Sequence, residues 1–252
     1  MNETPISLWF AYPEDLLSES TAQACRALLS EDERERLLSY RFERRRREYL
    51  ANRMLARTAL SHFYPLGPQE WRFKVNAYGK PATEPECGLR FNLSDSHGLA
   101  ACLIASGAEV GVDVEPYERG KEILEIAAEV FSAHEMEQLE ALAGAARLDR
   151  ALQLWTLKEA YIKARGMGLS LPLKKFSFLF GGAEEIRLQL DADFEEEAGR
   201  NWRFCLLDFA GNRVALMTER VAAGTLQMWE ARGLPAPAVR LPDVPVQWFG
   251  AE

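Results

Sequence analysis

Sulfur and imidazole are scarce in this chain: its 252 residues include four cysteines and three histidines. Cys25, Cys87, Cys102 and Cys205 form no C-x-x-C pair, and His62, His97 and His134 form no H-x-x-x-H pair. A structural zinc site, a disulfide framework and zinc-hydrolase chemistry are therefore all disfavoured. Cys102 and Cys205 sit in apolar runs and read as buried filler, while Cys87, between Glu86 and Gly88, reads as a loop residue. No run of about 18 apolar residues is available to cross a bilayer, and the opening Met1-Asn2-Glu3-Thr4-Pro5 lacks the positive region of a signal peptide. The expected compartment is the cytoplasm. Also missing are G-x-x-x-x-G-K-[ST], G-x-G-x-x-G and G-x-S-x-G, which removes the usual phosphate loops and the serine-hydrolase elbow. Positive charge is in deficit: a net charge of -8 argues against nucleic-acid binding, which depends on neutralising phosphates.

The composition that remains, 48% hydrophobic and 27% charged, suits one large globular domain or two small ones. Ile6 to Tyr12 reads as a strand ended by Pro13. Two helices follow, one capped at Ser30-Glu31-Asp32-Glu33 and one over Arg44 to Phe63. From Trp71 the pattern becomes short strands, at Trp71–Val75, Arg90–Ser94, Leu99–Ala105 and Glu109–Glu115, with a turn at Tyr78-Gly79-Lys80-Pro81. Helices are expected over Ile123–Val130, after the capping box Ser132-x-x-Glu135 as far as Gly144, and over Leu148–Ala164. Strands resume at Phe176–Phe180, Ile186–Leu190, Trp202–Leu207 and Arg213–Thr218. Each half thus reads as strand, helices, then strands. The expected class is α+β, with two similar α/β subdomains related by a pseudo-two-fold axis, mainly antiparallel sheets and helices packed on them. The expected divisions are an N-terminal subdomain over 1–107, a C-terminal subdomain over 108–225 and an extended, proline-rich strap over 226–252.

Two segments concentrate the chemistry. In Gly111-Val112-Asp113-Val114-Glu115 the period of two places both carboxylates on one face of a strand, their Cα atoms roughly 6.5 to 7 Å apart, close enough to share one cation. In Trp155-Thr156-Leu157-Lys158-Glu159-Ala160-Tyr161-Ile162-Lys163 a helix presents a third acid, with Lys163 one turn beyond it. Alone, Glu159 and Lys163 read as an i,i+4 surface pair and the D-x-E strand as a solvated edge. Together they suit a hard divalent cation on a pyrophosphate, with lysines steadying the oxygens, and oxygen-only ligation favours magnesium. The chain offers no activated nucleophile of its own, so the attacking group is expected on a substrate. Arg41, Arg44, Arg45, Arg46 and Arg47 form a basic island that reads either as a solvated face paired with Glu43 and Glu48 or as a docking surface for an acidic partner.

These residues resemble the larger, monomeric-type 4'-phosphopantetheinyl transferases. The resemblance rests on Gly111 to Glu115, Phe131-Ser132-Ala133-His134-Glu135, and Trp155-x-x-Lys158-Glu159-Ala160-x-x-Lys163 with Gly166-x-Gly168-Leu169. Tyr78 to Pro81 and Phe91-Asn92-Leu93-Ser94-Asp95-Ser96 also fit. It implies transfer of phosphopantetheine from coenzyme A to a serine hydroxyl of an acyl or peptidyl carrier protein, leaving adenosine 3',5'-bisphosphate, by a monomeric, magnesium-dependent enzyme. By position it implies Asp113, Glu115 and Glu159 as magnesium ligands, Glu159 also as the base, and Lys163 and Lys158 as stabilisers of phosphate charge. It further implies that Tyr78, Gly79, Lys80 and Pro81 pack the adenine and contact phosphate, that Arg53 reaches the 3'-phosphate, and that Ser94 contacts phosphate. The next position in such proteins is usually histidine and here is Asp95. An acid beside a phosphate repels it unless protonated, turned away or bound to a cation. Contact with magnesium through water, or His97 in place of the imidazole, are the alternatives for that position. The competing functions are a non-catalytic coenzyme A or carrier-protein binding module and, last for want of a phosphate loop, a magnesium-dependent nucleotide phosphohydrolase.

Overall fold

The computed structural model describes residues 6–96, 98–181, 185–191, 200–219, 226–235, 238–242 and 246–250. His97 lies outside the described residues. The strands, in chain order, are β1 (Ser7–Ala11), β2 (Arg72–Val75), β3 (Pro81–Glu84), β4 (Leu89–Ser96), β5 (Leu99–Ser106), β6 (Val110–Pro116), β7 (Phe176–Phe180), β8 (Ile186–Leu190), β9 (Arg203–Phe209), β10 (Asn212–Thr218), β11 (Gln227–Ala231), β12 (Val239–Arg240) and β13 (Phe249–Gly250). The helices are α1 (Glu19–Ala27), α2 (Glu31–Ser39), α3 (Glu43–Phe63), α4 (Gly120–Glu125), α5 (Ala127–Val130), α6 (Ala133–Glu140) and α7 (Gly144–Arg165). The class is α+β, and antiparallel pairing dominates.

Two main sheets carry the molecule. One has the order β12-β11-β1-β5-β4, antiparallel except where β1 and β11 run parallel. The other has the order β13-β9-β10-β6. Alternation along each strand sends one row of side chains between the sheets and the other toward a helix. Leu8, Phe10, Leu103, Val112, Val114 and Leu216 fill the space between the sheets, where the Phe10 and Phe209 rings stack at 3.9 Å. Trp9, Cys102 and Ile104 face α3, while Ala215, Met217 and Phe204 face α7. The layers are therefore helix, sheet, sheet, helix. Each fully buried large apolar side chain contributes about 1.5–3 kcal/mol, so the two long helices are fixed by the faces they bury.

Several local expectations are met in atomic detail. Ser30 and Ser132 both cap helices with reciprocal bonds to Glu33 and Glu135. The stretch over 123–130 divides into α4 and α5, and Gly144, at φ 56°, starts α7 instead of ending its predecessor. Helix α1 was not anticipated; its mean polarity conceals the buried Ala22 and Cys25. The segment from 226 is more than a strap. β11 enters the first sheet beside β1, and β13 pairs with β9 in the second, so it joins both sheets.

The seam between the halves positions the chemistry. The edge of β6 turned away from β10 is capped by side chains of β4: Val112 N donates to Asn92 Oδ1 at 2.9 Å and Val114 N to Ser94 Oγ at 3.2 Å. Across the face of β6, Gly111 admits α7 at backbone contact. A Cβ there would lie 2.0 Å from Ala160 O and 2.5 Å from Ala164 N. That close approach brings the acids of β6 under the polar stripe of α7. No helix among the described residues is long and apolar enough to cross a membrane.

Candidate active site

A cleft of about 850 Å³ opens along the seam. Glu159 and Lys163 of α7 line it from the C-terminal half, Arg53 and Asn52 of α3 from the N-terminal half, and the turn over Tyr78 to Pro81 lies between them. At its floor the Lys163 ammonium donates to Asp113 Oδ1 at 2.7 Å and to Ser94 Oγ at 2.8 Å. Ser94 in turn donates to Asp113 Oδ1 at 3.1 Å while accepting from Val114 N. One donor and two acceptor sites exhaust the hydroxyl, so Ser94 fixes Asp113 and Lys163 relative to the strand. Lys163 is held above the ordinary lysine range: burial opposes its charge, but the adjoining Asp113 carboxylate outweighs that, with Glu159 and Asp95 adding to it.

Two of the three acids are raised above the ordinary carboxylate range. Glu159 is raised from 4.5 to about 7, first by burial and then by Asp113, with Glu115 adding to the effect and Lys163 and Arg119 opposing it. Glu115 is also raised, by burial first and Asp113 second. Arg119 Nη1 reaches both Glu115 oxygens, at 2.6 and 2.7 Å, and Trp155 Nε1 donates to Oε1 at 2.8 Å. Among the described residues no three His, Cys, Asp or Glu side chains stand close enough to hold an ion as they lie. The donor set nonetheless fits a hard cation. All three groups offer oxygen, Asp113 Oδ2 is buried with no hydrogen-bond partner, and the charged form of Glu159 is disfavoured first by burial and then by the neighbouring Asp113 and Glu115 carboxylates, a penalty that a divalent ion relieves.

The turn beside the cleft is built by Asn76, which sequence reasoning passed over. Its Oδ1 accepts from Tyr78 N and Lys80 N, both at 2.9 Å, and its amide donates to Gly166 O at 2.7 Å, tying the turn to the end of α7. Gly79, at φ 88°, takes the left-handed conformation this tight loop requires, and Tyr78 is left exposed. An Asn two residues ahead of a Gly-containing turn is the available signal. Arg119 carried a signal as well, four residues beyond Glu115. Arg53 lies on the cleft wall, its guanidinium over the Tyr49 and Phe73 rings at 5.2 and 5.7 Å. Asp95 is on the same wall, accepting from Asn52 Nδ2 at 2.7 Å and lying 3.9 Å from Arg45.

Two expected phosphate contacts point elsewhere. Lys158, adjacent in sequence to Glu159, is wholly buried on the far side of α7. Its ammonium donates to Leu173 O and Phe176 O at 2.7 and 2.6 Å and pairs with Glu135 Oε2 at 2.8 Å. Burial pushes it below the ordinary lysine range, with Glu135 opposing. Glu135 completes the network by accepting from Ser132 N and Phe178 N. Lys158 therefore anchors α7 to the loop before β7 and does not face the cleft. Lys80 lines the cleft, but its ammonium is engaged by Glu109 Oε2, Ala164 O and Val110 O at 2.6, 2.6 and 3.3 Å.

Residues 109–222 match the 4'-phosphopantetheinyl transferase superfamily. The chain is 32% identical over 185 residues to a 4'-phosphopantetheinyl transferase of Bacillus subtilis, covering 73% of this chain and 81% of that one. It is 32% identical over 174 residues to the 4'-phosphopantetheinyl transferase HetI of Nostoc sp. (strain PCC 7120), covering 68% and 73%. With the 4'-phosphopantetheinyl transferase Sfp of Bacillus subtilis (strain 168) it shares 30% identity over 186 residues, covering 73% and 81%. With Glu159, Lys163 and the turn lining one cleft and Asp113 hydrogen-bonded to Lys163, this chain belongs to the 4'-phosphopantetheinyl transferase family and is a transferase enzyme.

Proposed function

We propose that this enzyme transfers the 4'-phosphopantetheine group of coenzyme A to a serine hydroxyl of an apo acyl or peptidyl carrier protein, releasing adenosine 3',5'-bisphosphate in a magnesium-dependent reaction. The observation that carries the reading is the trio of Asp113, Glu115 and Glu159 beside Lys163, with Glu159 raised to about 7. Asp113, Glu115 and Glu159 would hold magnesium, which supplies neutralisation of pyrophosphate charge. The serine oxygen forms its bond to the phosphorus that bears pantetheine as the bond to the nucleotide phosphate breaks. Glu159 is also the general base of this reading, taking the serine proton directly or through water. Lys163 stabilises the charge developing on the phosphate oxygens, held for that purpose by Ser94 and Asp113. The Tyr78 to Pro81 turn and Arg53 receive the nucleotide.

The long helices α3 and α7, each lying on a mainly antiparallel sheet with the cleft between them, support a duplicated fold with a pseudo-two-fold axis and a site completed within one monomer. Incubation with coenzyme A, magnesium and a panel of apo carrier proteins should raise the mass of a carrier by one phosphopantetheine. No mass gain on any carrier would defeat the reading.

A further inference from the structure

Two of the three acids at the seam already carry a cation of the chain's own: Lys163 holds Asp113, and Arg119 holds Glu115. The two cations are placed differently. Lys163 lines the cleft, where phosphate is received. Arg119 stands on the single 3-10 turn Tyr117–Arg119 that follows β6, and it is not among the residues that line the cleft. Its contacts are with carboxylates and with the Trp155 ring. Nη1 donates to both oxygens of the buried Glu115, at 2.6 and 2.7 Å, and the guanidinium lies over that ring at 5.9 Å from its centroid. Its Nε is 3.7 Å from the exposed Glu122 carboxylate.

Glu115 has a second donor of another kind. Trp155 Nε1, in the middle of α7, donates to Oε1 at 2.8 Å. The indole is neutral, so it orients the carboxylate and takes nothing from its charge. It is also carried by the helix that Gly111 admits onto β6, which fixes it relative to the strand. Arg119 does the opposite. A guanidinium on a carboxylate cancels charge that a divalent ion would use, and a positive charge beside the ion repels it. With Trp155 in place, the loss of Arg119 would free the charge of Glu115 without freeing its position.

We infer that Arg119 is the resident counter-cation of Glu115 and lowers the affinity of the site for free magnesium, while Trp155 is the positioning residue that keeps this carboxylate in place. This rests on the reading in which Asp113, Glu115 and Glu159 hold the ion. Its consequence is a site that favours magnesium together with a pyrophosphate, whose oxygens restore the negative charge that Arg119 cancels. Magnesium would be titrated by calorimetry into the full-length enzyme without coenzyme A or carrier. Arg119→Gln keeps a donor beside Glu115 and removes the charge, and should tighten magnesium by at least about fivefold; Arg119→Lys keeps the charge and should stay within about twofold of wild type. Trp155→Phe keeps a ring and loses the N–H, and should weaken magnesium by at least about threefold. In a Glu115→Gln background the effect of Arg119→Gln should shrink to less than about twofold, because the guanidinium acts through that carboxylate. No tightening in Arg119→Gln, equal tightening in Arg119→Lys, an undiminished effect in the Glu115→Gln background, or no weakening in Trp155→Phe would each overturn the inference. If neither wild type nor any variant binds magnesium, the metal assignment falls and takes this inference with it. Tighter magnesium in Arg119→Gln from an enzyme that modifies no carrier would sustain the inference and leave the transfer reading to fall alone.

Discussion

Glu159→Gln separates what the site costs in stability from what it delivers in chemistry. The carboxyl titrates at about 7 in the fold against 4.5 when free. Between those values the folded chain holds a proton that the unfolded chain has released, so stability falls as pH rises through this window and the loss is complete above about 7. The gap corresponds to about 3 kcal/mol at most, and since the cleft admits water about 1.5–3 kcal/mol is expected. Glutamine keeps the shape and carries no charge. At pH 8 the variant should therefore be the more stable protein, with a melting temperature higher by roughly 3–10 °C, while near pH 4.5 the two should melt together. Taking the difference between proteins at each pH cancels the titration of groups that do not interact with Glu159. Added magnesium should stabilise the wild type more than the variant and narrow the difference at pH 8. Transfer should fall by about 10²–10⁴-fold with the base gone. A variant less stable than wild type at pH 8, or an advantage that does not change with pH, would refute the argument that Glu159 is held in the fold against its own charge.

Three further outcomes follow from the same geometry. Asp113→Ala should abolish transfer and magnesium binding measured by calorimetry while far-ultraviolet circular dichroism is preserved, since Lys163 retains Ser94. Lys158→Met leaves the Glu135 carboxylate buried without its cation and should cost about 3–5 kcal/mol, read by denaturant unfolding, unlike a loss confined to phosphate binding. Gly111→Ala places a methyl 2.0 Å from Ala160 O, so α7 must lift from β6. Melting temperature and transfer should fall together, and full activity in that variant would contradict the close helix–strand approach.

Much of the frame was legible because its signals are local. Period-two alternation located β6 and the face bearing Asp113 and Glu115, an N-cap serine followed by acids located the start of α2, and a capping box located that of α6. Elements placed by distant partners were not legible. β11 is a strand because β1 offers it a parallel edge more than 200 residues away in sequence, and nothing within Gln227–Ala231 announces that pairing. The side-chain bridges from Asn92 and Ser94 to β6 depend likewise on two strand edges meeting, a relation no single segment encodes.

The helix motif shows where reading by position stops. Lys158 and Glu159 are neighbours in sequence, yet consecutive residues on an α-helix point about 100° apart, because a turn takes about 3.6 residues. Glu159 consequently faces the cleft while Lys158 enters the core behind α7, where Glu135 and two carbonyls replace its water. Lys163, four residues beyond Glu159, shares its face as the spacing requires. It does not form the surface pair with Glu159 that the two residues suggest when taken alone. It reaches Asp113, because Gly111 lets α7 sit close enough to β6 for the acid on the strand to lie within 2.7 Å. A missing side chain on the strand thus decides which acid the lysine serves, and leaves Glu159 raised, first by its burial and then by the Asp113 carboxylate.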